Sequence, residues 1–264
     1  MTEPAIAAPR NPGLSPVSLP PLDELAPRLA ARLDTDGFAC IEGAISADWL
    51  NRARAAIALA IGEHGAKFFS LIRPSRDARF PIAELSLDPV LRELAARLVH
   101  HACPPARGED GFYDIVRVIA GDDGRPGSGE FHYDASIITL LVPIHIPDGP
   151  PGETGELVVF PNRRTIGRSL ATNLAEKAAL QNRFAWARAA SRVASGSGCE
   201  VKRLVPGNIY LFWGYRSYHG NLACAPGQLR ATLLLHAGDP HSDGLTMRAI
   251  RALRRLTEAR RRQK

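Results

Sequence analysis

The strongest constraint on the fold is a change of periodicity near residue 111. Before it, SADWLNRARAAIALAIGEHG (46–65) and DPVLRELAARLVHHA (88–102) carry apolar residues at helical spacing, and Ser46 and Asp88 are suitable N-caps. After it, short runs rich in β-branched and aromatic residues alternate with Gly, Pro and Asp turns. Helices followed by many short strands predict a mainly β protein with supporting helices, a β-sandwich or barrel preceded by N-terminal α-helices.

A helical segment interrupts the strand series. The predicted strands are FYDIVRVIA, FHYDASIITLLVPIHI, GELVVFP, CEVKRLV, NIYLFWG and LRATLLLHAG. Between the third and fourth of them, residues 172–195 read as a helix, with Asn173 and Glu176 resembling a capping box and Gly196 ending it. The sequence leaves open whether this insert is a lid over a site or a fixed support on the outside of the strands.

The charge distribution separates the fold from its C-terminal end. The net charge of +6 is concentrated in residues 248–264, which hold eight Lys and Arg against one acidic residue. Such a tail could touch nucleic acid or anionic lipid, but the fold itself is close to neutral, so nucleic acid is not the expected partner. No apolar run is long enough for a membrane span and no signal-peptide pattern is present, which predicts a cytoplasmic protein.

Metal-binding residue types occur in FHYDAS (131–136). On an extended strand His132 and Asp134 point to the same side, about 6.6 Å apart. His219 follows downstream in YRSYHGN. Two imidazoles and one carboxylate on one face of a metal leave neighbouring positions open, as in non-haem iron(II) oxygenases. Arg230 and Thr232 also share a strand face, where they offer a planar cation and a hydroxyl to a carboxylate.

These residues together resemble the iron(II)/2-oxoglutarate-dependent oxygenases. The order His-x-Asp, distal His and Arg-x-Thr is most similar to the phytanoyl-CoA hydroxylase-like branch of the superfamily, and the phrases GELVVFPN and PGNIYLFWGYRSYHGN also resemble the superfamily. The resemblance implies a double-stranded β-helix (jelly-roll) core over about 110–240. It also implies Fe(II) on His132, Asp134 and His219, with 2-oxoglutarate as co-substrate on Arg230 and O2 at an open position. The co-substrate site would further include Thr232 beside Arg230 and, from its strand position alone, Thr139.

The resemblance also implies an activity and a domain layout. The expected reaction is hydroxylation of an unactivated C–H bond of a small-molecule substrate, with release of succinate and CO2. The carboxylate of Asp134 favours hydroxylation over halogenation, because halogenating relatives resemble this pattern with a small residue there; desaturation or cyclisation would use the same ligands. We expect a disordered arm at 1–21, a single oxygenase domain at 22–247 and a basic tail at 248–264.

Two other functions remain open from the sequence. A cupin-type protein could bind a metal and a small molecule without redox turnover, but the paired HxH of cupins is missing and Arg230 would have no role. A nucleic-acid-modifying oxygenase would use the basic tail, but no basic stripe runs along the strands.

The remaining candidates are individual side chains. Arg163, Trp213 and Tyr215 are predicted to contact substrate. A second His-x-Asp, His241 and Asp243, lies in a Gly/Pro/Asp-rich segment with no histidine after it, so it is not expected to bind metal.

Three further strand residues receive structural interpretations. We interpret His145 and His236 as hydrogen-bonded core histidines, because neither has a carboxylate two residues later. We interpret Arg117 as part of a solvent-exposed strand face.

Overall fold

The computed structural model describes residues 6–7, 15–104, 111–121, 129–165 and 183–240. In this part of the chain the α-helices are α1 (Leu22–Asp36), α2 (Ala47–His64), α3 (Ile82–Ser86), α4 (Pro89–Ala102) and α5 (Arg183–Ala194), with a short 3-10 helix at Pro74–Arg76. The strands are β1 (Ile6–Ala7), β2 (Phe38–Glu42), β3 (Phe69–Ile72), β4 (Tyr113–Ile119), β5 (Ile138–His145), β6 (Leu157–Phe160), β7 (Glu200–Lys202), β8 (Ile209–Phe212), β9 (Tyr218–Asn221) and β10 (Arg230–Ala237).

The strands form two sheets. The large sheet has the order β1-β2-β8-β5-β10-β4-β3, and the small sheet has the order β7-β6-β9. All pairings are antiparallel except that of β1 with β2. His132 adds an isolated antiparallel bridge to His219 of β9, which brings the FHYDAS segment alongside the small sheet. The predicted mainly β architecture with supporting helices is confirmed.

The centre of the large sheet is buried on both faces. On β10, alternate residues Ala231, Leu233 and Leu235 belong to the core shared with the helices. Their neighbours Arg230 and Thr232 point to the opposite face, where they line a cavity between the sheets. Because successive side chains of a strand point to opposite faces, β10 has an apolar face against the helices and a largely polar face towards the cavity.

The predicted helices α2 and α4 are confirmed with their caps. The Ser46 side chain accepts a hydrogen bond from the backbone N–H of Trp49. Asp88 accepts from Val90 and Leu91 and is followed by a proline at the first helical position. Both helices pack on the outer face of the large sheet through rows of buried apolar side chains.

Helix α1 continues through a proline that would be expected to interrupt it. Pro27 lies in the second turn and has no N–H to donate to the carbonyl of Asp23, four residues earlier. The helix therefore loses one backbone hydrogen bond, and the carbonyl affected lies in the first, exposed turn. Leu25, Leu29 and Leu33 are almost completely buried on one side of the helix. We attribute the continuity of α1 to this burial, which outweighs the loss of one hydrogen bond.

Two strands lie where the sequence indicated only helices. Both β2 and β3 belong to the first 105 residues of the chain. β2 pairs with β8 and β3 pairs with β4, so each adds a strand to the large sheet. Their short runs FACIE and FSLI sit between longer helical patterns. Their partners, β8 and β4, are distant in sequence, which is why local periodicity did not reveal them.

The described part of the insert lies outside the sheets. Helix α5 covers the outer face of the small sheet, with Ala189 buried against Val158, Phe160 and Tyr218. The indole N–H of Trp186 donates to the carbonyl of Phe131 at 2.9 Å. Within 172–195, residues 172–182 are outside the described residues, as are the tail at 248–264 and the second His-x-Asp at 241–243.

The N-terminal arm is described only in part. Ile6 and Ala7 pair with β2, and Val17 forms a bridge with Ile45. None of the helices in the described ranges has both the length and the apolar character required to cross a membrane.

Candidate active site

Three predicted metal ligands converge at one end of the space between the two sheets. His132 Nε2 lies 3.6 Å from Asp134 Oδ1, and His219 Nε2 lies 3.6 Å from Asp134 Oδ2. One ligand atom from each of these residues lies within 4.8 Å of the other two. Among the described residues this is the group of His, Cys, Asp and Glu side chains with the spacing of a metal site. The structure thus brings together the three side chains that the sequence predicts as metal ligands.

Backbone carbonyls orient both histidines for metal binding. Nδ1 of His132 lies 3.1 Å from the carbonyl of Glu130, and Nδ1 of His219 lies 2.9 Å from the carbonyl of Ser217. A carbonyl can only accept, so each Nδ1 carries the proton and each Nε2 keeps its lone pair. Because both Nε2 atoms face Asp134, the three residues present two neutral nitrogens and a carboxylate to one point. This donor set suits a divalent transition metal.

A second layer of contacts fixes the carboxylate of Asp134. The Thr139 hydroxyl donates to Oδ2 at 2.5 Å, and the Thr139 oxygen lies 3.0 Å from Nδ1 of His236. Since Thr139 gives its proton to Asp134, it accepts from His236, and Nδ1 of His236 is therefore protonated. The backbone N–H of Asp134 donates to the carbonyl of Gly214 at 2.9 Å. Thr139, predicted from its strand position to lie near the co-substrate, thus lines the cavity and contacts Asp134, a predicted metal ligand.

The electrostatics of the triad favour a cation. Burial acts to raise the pKa of Asp134, but the neighbouring imidazoles of His219, His236 and His132 hold that pKa well below its usual value. Burial acts to lower the pKa of His132, but the adjacent carboxylate of Asp134 raises it. The carboxylate is therefore ionised, and its surroundings stabilise positive charge next to it.

Arg230 lies in the same cavity with its charge unpaired. The residue is 3% exposed, and its Nη1 is 3.4 Å from the Thr232 hydroxyl oxygen. Its Nε is buried without a hydrogen-bond partner, and no carboxylate of the described chain lies within 4.0 Å of its guanidinium. Burial lowers the pKa of Arg230 to about 10. A buried, unpaired guanidinium is costly, so the site is suited to an anion from outside the chain.

A glycine creates the space in which Arg230 lies. Gly155 has φ +71°, and a Cβ added to it would stand 2.5 Å from Cδ and 2.8 Å from Nε of Arg230. Any side chain here would both strain the backbone and displace the guanidinium. Sequence reasoning missed Gly155, whose only local signal is that it is the glycine at the start of the run GELVVFP.

One cavity contains both Arg230 and the triad of His132, Asp134 and His219. Its polar and apolar lining residues come from both sheets and are Arg117, His132, Asp134, Thr139, Leu141, Leu157, Phe212, His219, Gly220, Asn221, Arg230, Thr232, Leu234 and His236. Two earlier interpretations change as a result. Arg117 faces this cavity instead of an exposed surface, and His236, although hydrogen-bonded as predicted, lies 3.6 Å from Asp134.

The residues predicted to bind substrate lie in different places. Trp213 is fully buried in the core, where its indole N–H donates to Asp34 Oδ1 at 3.1 Å. Tyr215 is also buried, and the Arg164 guanidinium stacks 3.8 Å from its ring centroid. Arg163 lines a separate cavity of about 260 Å³ between α5 and the outer face of the small sheet. The structure therefore does not bring these three side chains together.

Comparisons with known proteins identify relatives by structure and not by sequence. No family model matches the chain, and no curated protein sequence matches it. Among solved structures, the alpha ketoglutarate dependent epimerase SnoN from nogalamycin biosynthesis is 16% identical, with a TM-score of 0.56 over 82% of this chain and 84% of that one. SnoN has also been solved with Fe3+, alpha ketoglutarate and nogalamycin RO.

Two further neighbours extend this comparison. A prolyl hydroxylase from Trichoplax adhaerens, in complex with a peptide fragment, is 14% identical with a TM-score of 0.51 over 84% of this chain and 94% of that one. HygX from Streptomyces hygroscopicus, with nickel and 2-oxoglutarate bound, is 15% identical, with a TM-score of 0.51 over 80% of this chain and 86% of that one. At these identities the similarity concerns the fold: the chain has the fold of iron- and 2-oxoglutarate-dependent oxygenases.

Proposed function

We propose that the protein is an Fe(II)- and 2-oxoglutarate-dependent oxygenase acting on a small molecule. The observation that carries the proposal is the position of the His132, Asp134 and His219 triad in the same cavity as the buried, unpaired Arg230. A metal site alone would suit many proteins, but a metal site joined to an anion site matches a co-substrate that has a chelating end and a distal carboxylate. In this proposal the two sheets form a double-stranded β-helix, or jelly roll.

The side chains of the His132, Asp134 and His219 triad are suitable ligands for Fe(II). His132 and His219 would each supply Nε2 because their Nδ1 protons are held by backbone carbonyls. Asp134 would supply a carboxylate oxygen while Thr139 holds Oδ2 in place. Three ligands from one side leave the remaining positions open for the co-substrate and O2.

Arg230 and Thr232 fit the distal carboxylate of 2-oxoglutarate. A guanidinium donates two parallel hydrogen bonds to a carboxylate, and the adjacent hydroxyl can add a third. The burial of Arg230 strengthens this interaction, since water does not compete for its donors. The co-substrate would also neutralise a charge that the described chain leaves unpaired.

The iron centre, once loaded, would supply the oxidising chemistry, with 2-oxoglutarate converted to succinate and CO2 and a C–H bond of the substrate oxidised. The chain's own contribution is binding, orientation and exclusion of water. Phe212 lines the cavity and its ring centroid is 4.6 Å from that of His219, so it shields one side of this ligand from solvent. Leu141 and Leu234 line the same cavity with apolar surface.

We propose hydroxylation as the reaction outcome, because the carboxylate ligand Asp134 fills the position that halogenation would require to be small. The solved neighbours include an epimerase as well as hydroxylases, so the same fold supports several outcomes. The phytanoyl-CoA hydroxylase-like branch, a cytoplasmic location and substrate contacts from Arg163 and Tyr215 are parts of the same proposal that rest on the sequence. The cupin alternative is not favoured, because it would leave Arg230 buried without an anion.

The direct test measures succinate formed from 2-oxoglutarate by the protein with Fe(II) and O2. Uncoupled turnover without the substrate is expected to be slow but measurable, and a screen of small molecules should identify compounds that raise it. His219→Ala should abolish succinate release, whereas His145→Gln, at a histidine whose Nδ1 contacts the carbonyl of Leu229, should retain it. Stable metal binding with no 2-oxoglutarate binding would refute the proposal.

A further inference from the structure

Tyr113 is a partly exposed aromatic residue at the metal end of the large sheet. It is the first residue of β4 and pairs directly with His236 on β10, so the two side chains lie on the same face of the sheet. The centroids of the two rings are 6.4 Å apart, and Nδ1 of His236 lies 3.6 Å from Asp134 Oδ2. Because Tyr113 is 40% exposed, a molecule that approaches the candidate metal site can contact its ring.

A cation lies against the ring of Tyr113. Arg73 directly follows β3, and the central carbon of its guanidinium is 5.1 Å from the ring centroid. Arg73 is exposed, and no carboxylate of the described chain lies within 4.0 Å of its guanidinium. Arg79, further along the same segment, instead pairs with Asp77 and Glu63 at 2.7 Å. The charge of Arg73 is therefore available to an anion from outside the described chain.

The backbone of Arg73 is fixed in an unusual conformation. Its φ of +53° and ψ of +50° lie in the left-handed region, which a non-glycine residue adopts mainly where its surroundings impose it. Its N–H donates to the carbonyl of Asp114 at 2.8 Å. The buried carboxylate of Asp114 accepts from the Ser75 backbone N–H at 2.9 Å and from the Ser75 hydroxyl at 2.7 Å. Asp114 is therefore a positioning residue that fixes the turn and keeps Arg73 beside Tyr113.

Apolar surface continues next to Arg73. Ile72 pairs with Ile115 across β3 and β4, which places its side chain on the same face of the sheet as Tyr113. Ile72 is 58% exposed. An aliphatic side chain, an aromatic ring and a guanidinium thus adjoin one another beside the candidate metal site. Such a surface suits an anionic group that is attached to an apolar body.

We propose that Arg73 binds an anionic group of the substrate, while Tyr113 and Ile72 contact the adjoining apolar part. The substrate class is then a small molecule that carries a carboxylate or a phosphate on an apolar body. This inference deepens the proposed function and rests on it. Only the rings of Tyr113 and His236 separate Arg73 from Asp134, so one small molecule can extend from the guanidinium to the metal position. Arg230 lies at the opposite end of β10, so substrate and co-substrate have separate arginines.

The test compares apolar molecules that differ in one group. Phenylbutyl, naphthyl and decyl compounds, each as the carboxylate, the phosphate and the uncharged carboxamide, are titrated by calorimetry into the full chain loaded with Ni(II) and 2-oxoglutarate. For at least one apolar body, a charged form should bind about tenfold or more tightly than the carboxamide. Arg73→Gly should remove that difference, because glycine readily adopts the left-handed turn but has no guanidinium. Arg76→Gln, at an exposed arginine of the same segment, should retain it.

The preferred charged form distinguishes a carboxylate from a phosphate substrate. Tyr113→Ala should weaken charged and uncharged forms alike, because it removes apolar contact. Equal affinity of the charged and uncharged forms for wild type, a preference for charge that persists in Arg73→Gly, or no binding by any compound would each show that the inference is wrong.

Failure of the proposed function gives a different result. Wild type would then not bind 2-oxoglutarate in the presence of Ni(II). If the proposed function holds, Arg73→Gly should bind 2-oxoglutarate as wild type does, because Arg73 lies outside the co-substrate site. Circular dichroism verifies the folding of every variant, and Arg73→Gln replaces Arg73→Gly if the latter does not fold.

Discussion

Gly214 lies against the carboxylate of Asp134 so closely that a Cβ atom on Gly214 would stand 2.5 Å from Oδ2 and 2.7 Å from the Thr139 hydroxyl oxygen. The same glycine accepts a hydrogen bond from the backbone N–H of Asp134. Its φ is not positive, so what the position requires is the missing side chain and not an unusual backbone conformation. The absence of a Cβ allows the carboxylate and Thr139 to approach the backbone.

Gly214→Ala is expected to weaken metal binding, because the new methyl group must push Asp134 or Thr139 aside. Changes in groups that orient a ligand typically cost roughly tenfold to a hundredfold in metal affinity, and overpacking adds about 1–3 kcal/mol of destabilisation. Isothermal titration with a divalent metal and thermal unfolding would measure the two effects. Gly62→Ala is the matched control, because that position on α2 has open space around it; wild-type metal affinity in Gly214→Ala would contradict the role of this contact.

Metal binding should stabilise the fold. At a free metal concentration of 100 times Kd, the gain is about 2.7 kcal/mol, which corresponds to a rise in Tm of roughly 5–10 °C for a chain of this size. His132→Ala and His219→Ala should lose this rise, because each removes one of the ligand atoms that converge on Asp134. His145→Gln should keep it. Differential scanning fluorimetry with Ni(II) or anaerobic Fe(II) tests this, and an equal rise in all variants would place the metal elsewhere.

Arg230→Met should increase the stability of the ligand-free protein while removing the co-substrate site. The variant replaces a buried, unpaired guanidinium by an apolar side chain, a change expected to contribute about 1–3 kcal/mol. Affinity for 2-oxoglutarate should fall by about a hundredfold, since more than one charge-assisted hydrogen bond is lost. Arg230→Lys keeps the charge without the planar fork and should lose roughly tenfold. Urea unfolding measures the stability of each variant, and calorimetry measures its affinity for 2-oxoglutarate. A lower free energy of unfolding for Arg230→Met than for wild type would contradict this account.

The difference in the free energy of unfolding between wild type and Arg230→Met should become smaller as the pH rises. The pKa of Arg230 in the folded protein is about 10, below its ordinary value of 12.5. Below pH 10 both the folded and the unfolded chain carry the proton, so the cost of burying the charge is complete. As the pH rises from 10 towards 12.5, the folded form loses the proton first and the cost declines. Urea unfolding of both proteins at pH 7.5 and pH 11 should therefore show a smaller difference at pH 11.

Helix α5 should behave as a fixed support. Ala189 is 4% exposed, and the hydrogen bond from Trp186 to the carbonyl of Phe131 ties the helix to the segment that carries His132. We expect slow hydrogen exchange across 183–194 that does not change on addition of metal, 2-oxoglutarate or substrate. Trp186→Phe, which removes the donor but keeps an aromatic ring, should accelerate exchange there. Exchange that slows only when substrate is added would instead show that this helix closes over the site.

The sequence by itself determined the features that depend on neighbours along the chain. The helical spacing and caps of α2 and α4 predicted both helices within a residue or two. The period of two along a strand predicted that Arg230 and Thr232 share a face. The order of His132, Asp134 and His219 predicted the metal ligands, although the distance between Asp134 and His219 could not be calculated from spacing alone.

Only the tertiary structure decided which distant residues complete the site. The register of β4 against β10 places Arg117 opposite Thr232, and that of β10 against β5 places His236 opposite Thr139. Gly214 became important because its loop passes over Asp134. Strand pairing joins segments that are far apart in the chain, and a shift of one residue would turn each side chain to the other face. Local periodicity contains no information about that register. For this reason the sequence could predict the candidate ligands but not most of the residues that contact them.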